Sequence, residues 1–132
     1  MNLPATIHFS IGCFNGPCWD VELKSAALIV RSNRAGHIEG DATTVTPTAE
    51  AWSQFWQAIE AADVWSWLPD YTDNTILDGT QWELELAHAG RSVKCEGSNA
   101  YPGHNAPGYE DSPQFLHFLT ALRTITGMKG IR

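Results

Sequence analysis

The side chains best equipped for chemistry gather in one segment. Between positions 97 and 109 the chain carries Ser98, Asn99, Tyr101, His104, Asn105 and Tyr109, spaced by Gly97, Gly103 and Gly108. Hydroxyl, amide, phenol and imidazole groups on such a supple backbone can present hydrogen bonds to a ligand. The same residues also suit an ordered structural loop. In that case Asn99 bonds its own backbone, and Tyr101 plugs the edge of the core with its hydroxyl at the surface. A second concentration is aromatic: Trp52, Trp56, Trp65, Trp67 and Trp82, with Tyr71 close by. Spacing assigns Trp52, Trp56 and Trp82 to a core. Trp65 and Trp67 are two positions apart, and an extended segment would not turn both inward. One of them beside Tyr71 would serve as an aromatic anchor for a partner or a planar ligand.

The remaining reactive types are weaker signals. Asp63, Asp70, Asp73 and Asp78 precede the strand that begins near Thr80. Paired carboxylates can do acid–base work or hold a hard cation. This spacing matches no calcium-loop pattern and reads as turn-forming and helix-capping aspartate. His8, His37, His88, His104 and His117 are dispersed, and only His104 lies in a loop of the right character. The chain has no nucleophile elbow, phosphate loop or dinucleotide fingerprint. Cys13, Cys18 and Cys95 make an odd count; four residues separate the first two. No second Cys/His pair completes a zinc set. No catalytic residues, cofactor or metal are therefore expected, and the odd cysteine count with no signal sequence suits a reducing cytoplasm.

Charge narrows the partners. Fifteen acids against eight bases give a formal charge of −7. Nucleic-acid binding needs a basic face to displace counterions, so that class is excluded as an expectation. A polybasic membrane contact is excluded in the same way. No apolar run approaches the ~20 residues that span a bilayer.

Elements that could position these groups follow from periodicity. Residues 5–14 alternate with Ile7, Phe9 and Ile11 on one face. Trp19, Val21 and Leu23 do the same, opposite Asp20, Glu22 and Lys24. Period two predicts two strands joined by the Asn15-Gly16-Pro17 turn. Residues 26–31 form a third strand or continue the second through a bend at Lys24-Ser25. Residues 37–45 read as a polar edge strand. Thr46-Pro47 supplies an N-cap signature for a helix over 47–62. Residues 63–78 read as a turn of helix and then an ordered loop. Trp82, Leu84 and Leu86 alternate with Gln81, Glu83 and Glu85, the most regular strand pattern in the chain. His88-Ala89-Gly90 turns it into a return strand over 91–96, so that Glu83 or Glu85 could meet Lys94 or Arg91. Residues 97–110 form a long loop. Ser112-Pro113 opens a second helix over 113–126, closed by Gly127. The order predicts one domain over 1–132. Its class is α+β: a two-layer sandwich with an antiparallel sheet and two amphipathic helices on one face.

Two blocks, Asp78-Gly79-Thr80-Gln81-Trp82 and Gly97-Ser98-Asn99-Ala100-Tyr101-Pro102, resemble a group of small uncharacterised bacterial proteins. The likeness covers about half the chain, with a helix bearing Phe115 and Leu119 in the same layout. It implies a bacterial or phage origin and no reaction. The leading expectation is a small acidic protein acting non-enzymatically on a protein partner, as an inhibitor, immunity or mobile-element accessory protein. Its binding residues are expected among Trp65, Trp67, Tyr71, Asp78, Ser98, Asn99, Tyr101, His104 and Tyr109. Two alternatives stay open. One is a small-molecule site or small enzyme with a pocket between loops 70–78 and 97–109. The other is a homodimer without a ligand.

Overall fold

A computed structural model describes residues 5–13, 18–33, 42–72, 80–98, 113–128 and 131. Among these residues, seven strands and two helices follow one another as β1 (Thr6–Cys13), β2 (Cys18–Lys24), β3 (Ala27–Asn33), β4 (Ala42–Val45), α1 (Ala49–Ala61), β5 (Asp70–Thr72), β6 (Thr80–His88), β7 (Arg91–Ser98) and α2 (Pro113–Thr126). A 3-10 turn, Val64–Ser66, lies between α1 and β5. The strands form one sheet in the order β4-β3-β2-β1-β6-β7-β5. The class is α+β, as the element order predicts.

The sheet is antiparallel throughout except at one edge. There β5 pairs parallel to β7, with Tyr71 opposite Gly97, and the sheet is mixed. The loop expected over this stretch thus contains a short strand. Three residues are too few for alternation to announce them, and Pro69 sets the pairing by accepting the Glu96 N–H at 3.0 Å. Ser25 and Ala26 do not bend one long strand. Both have positive φ, 50° and 66°, and they turn the chain into β3, with Lys24 paired to Ala27. Ala89 and Gly90 do the same between β6 and β7 at φ 52° and 83°. Two-residue hairpins favour this left-handed pair because its twist matches the strands.

Alternation sorts the residues into two faces. One face carries Ile7, Phe9, Ile11, Val21, Leu28, Val30, Trp82, Leu84 and Leu86, all buried. The helices cover it. From α2, Phe115 and Phe118 meet Phe9, with ring centroids 6.2 and 5.0 Å away. From α1, Phe55 and Ile59 complete the same core. Burying about ten large apolar side chains at roughly 1.5–3 kcal/mol each supplies the main folding drive. The cap of α1 is Thr48 rather than Thr46: its Oγ1 accepts the Ala51 N–H at 3.1 Å. Gly127, at φ +75°, ends α2 where the sequence placed its stop.

Candidate functional site

The uncovered face of the sheet is the most distinctive surface among the described residues. Register brings its charges into rows. His8 lies between Glu22 on β2 and Glu85 on β6, and Glu85 faces Lys94 on β7. One step along, Arg31, Asp20, Ser10, Glu83, Glu96 and Asp70 follow in turn across six strands. This face therefore holds six carboxylates, from Asp20, Glu22, Asp70, Glu83, Glu85 and Glu96, against Lys24, Arg31 and Lys94. Lys94 is Glu85's register partner, as expected from the hairpin. Glu83 instead faces Glu96, another acid.

The contacts on this face are partly exposed and individually weak. His8 Nε2–H donates to Asp20 Oδ1 at 2.8 Å. Arg31 reaches Asp20 at 3.7 Å and Glu22 at 3.9 Å, and Lys24 reaches Glu22 at 3.6 Å. Exposed pairs of this kind contribute about 0–1 kcal/mol each. On the β1–β6–β7 side lies a shallow basin of about 590 Å³, lined by His8, Pro69, Glu83, Leu84, Glu85, Lys94, Cys95 and Glu96. Ser10, His8 and Asp20 share the face, but Asp20 takes the His8 proton donor, and direct register sets Ser10 against Asp20 and Glu83. The His8–Asp20 bond is the acid-to-histidine half of a hydroxyl-nucleophile relay, but no His8–Ser10 bond among the described residues supplies the histidine-to-hydroxyl half. No group of three His, Cys, Asp or Glu among the described residues is arranged to hold a metal ion.

An aromatic clasp stands where α1 meets the β6–β7 turn. Trp52, Trp56 and Trp65 lie nearly parallel, with successive centroids 6.2 and 6.3 Å apart and planes 17° apart. His88 stacks on Trp56 at 4.0 Å and 7°. Arg91 sits over Trp65, 5.0 Å from its centroid, and pairs with Glu60 on α1. Arg91 thus bonds the helix rather than a neighbouring strand. The cleft between these groups is about 360 Å³. Its indole faces are largely taken by one another, by His88 and by Arg91. The arrangement fastens the helix and the 3-10 turn to the hairpin while leaving three indoles partly exposed.

Of the expected binding residues, Trp65 is half-buried in this clasp. Trp67 belongs to the core: it is 7% exposed and packs against Trp82, Phe115 and Phe118. The reason is that the segment is not extended. Asp63, at φ 56°, and the 3-10 turn rotate the chain so that Val64 and Trp67 face inward. Asp63 Oδ1 accepts the Ser66 hydroxyl at 2.9 Å, a turn-forming role. Trp52 and Trp56, assigned to the core by spacing, are only partly buried against it. Tyr71 stacks on Trp82 at 6.0 Å, and its hydroxyl accepts the Leu68 N–H at 2.7 Å. Burial raises the Tyr71 phenol above its ordinary value, and the Leu68 bond opposes that. Ser98 ends β7 opposite Gln81 on the open face. Trp65 and Tyr71 are held by different partners, so they do not form the joint anchor expected of them. Asp78, Asn99, Tyr101, His104 and Tyr109 lie outside the described residues, as does most of the pocket proposed between loops 70–78 and 97–109.

The acidic rows were legible in part. Alternate positions along the strands carry the charges, but sequence does not say which strands lie side by side. No helix among the described residues is long and apolar enough to cross a membrane. No protein-family model matches the chain, and no curated protein matches it.

Proposed function

We propose that the protein is a non-enzymatic binding domain whose uncovered sheet face docks a basic surface of another protein, in an inhibitor, immunity or mobile-element accessory role. The observation that carries this reading is the row pattern: six carboxylates drawn from four strands onto one exposed face. The ion pairs of Asp20 and Glu22 are partly exposed, and Glu83 faces Glu96 rather than a base, so these carboxylates add little to the fold. Such a field speeds encounter with a basic partner and penalises acidic ones. Two copies meeting through this face would set carboxylate against carboxylate. The charge pattern therefore favours a different partner over a homodimer.

The test is capture from the source organism's extract on immobilised wild type and on Glu83→Lys/Glu85→Lys in parallel. The reading expects a defined basic protein that wild type retains, that high salt elutes and that the variant fails to hold. Identical retention by both proteins would overturn it.

A further inference from the structure

We draw no further inference here: the strongest candidate outside the site already described, the groove between α1 and α2 bordered by Ala51, Phe55, Ala58, His117, Ala121 and Ile125, is a largely apolar helix face, and nothing in the structure shows what covers it.

Discussion

On β6, Trp82, Leu84 and Leu86 alternate with Gln81, Glu83 and Glu85 on one backbone between the same two neighbouring strands. The first set is buried and the second exposed. On the covered side, each side chain is buried in the core, Trp82 against Phe115 of α2, and removing one opens a cavity. On the open side, each side chain meets water and partly exposed charges, and removing one costs little. The difference teaches where selection for folding ends. A face that contributes little to stability is free to carry charge for another purpose.

The sharpest way to break this comparison uses two tryptophans, two residues apart. Trp67→Ala should destabilise by about 3–5 kcal/mol, because it empties a buried site among Trp82, Phe115 and Phe118. Trp65→Ala should cost clearly less, since that ring is half-exposed in the clasp. Urea unfolding of both variants measures the gap. Equal losses would mean that the 3-10 turn does not separate an inner from an outer tryptophan.

The next effect comes from the covered face at high pH. Burial pushes the Cys95 thiol from 9.0 up to about 12. The folded state thus keeps its proton where the unfolded chain loses it. Stability is fully present below pH 9 and falls by about 1.4 kcal/mol per pH unit from there toward pH 12. The raised Tyr71 phenol adds a loss of the same sign above pH 10. Cys95→Val should flatten the Cys95 part of this slope. Denaturant midpoints across pH 8–11 give the answer, and an unchanged slope in the variant would place the titration elsewhere.

The smallest effect lies on the open face. Glu96→Gln relieves the like-charge pair with Glu83 and should raise stability by a few tenths of a kcal/mol at low salt, with the gain fading as salt screens it. A loss would reveal a structural bond from Glu96.

Local chemistry made much of this molecule readable in the sequence. Pro113 and Gly127 bracket α2, and the alternation around Trp82 sets β6 and its faces. What could not be read is non-local. Pairing of β1 with β6 joins residues 67 to 81 positions apart, and only that pairing sets Ser10 beside Glu83. The α1 start shows a finer limit. Thr46 and Thr48 both precede the helix, and the one whose hydroxyl reaches the Ala51 N–H is decided by geometry that residue types do not encode. Trp67 faces the core for a similar reason: a single left-handed residue, Asp63, changes the direction of the chain after it, and residue types do not announce that turn.

The most direct test of the division between the two faces is urea unfolding of the triple variant Glu83→Gln/Glu85→Gln/Glu96→Gln beside wild type at low salt. If the open face is spare for stability, the variant should be as stable as wild type or more stable, by up to about 1 kcal/mol. A loss of more than about 1 kcal/mol would show that these carboxylates hold the sheet together, and would contradict the account.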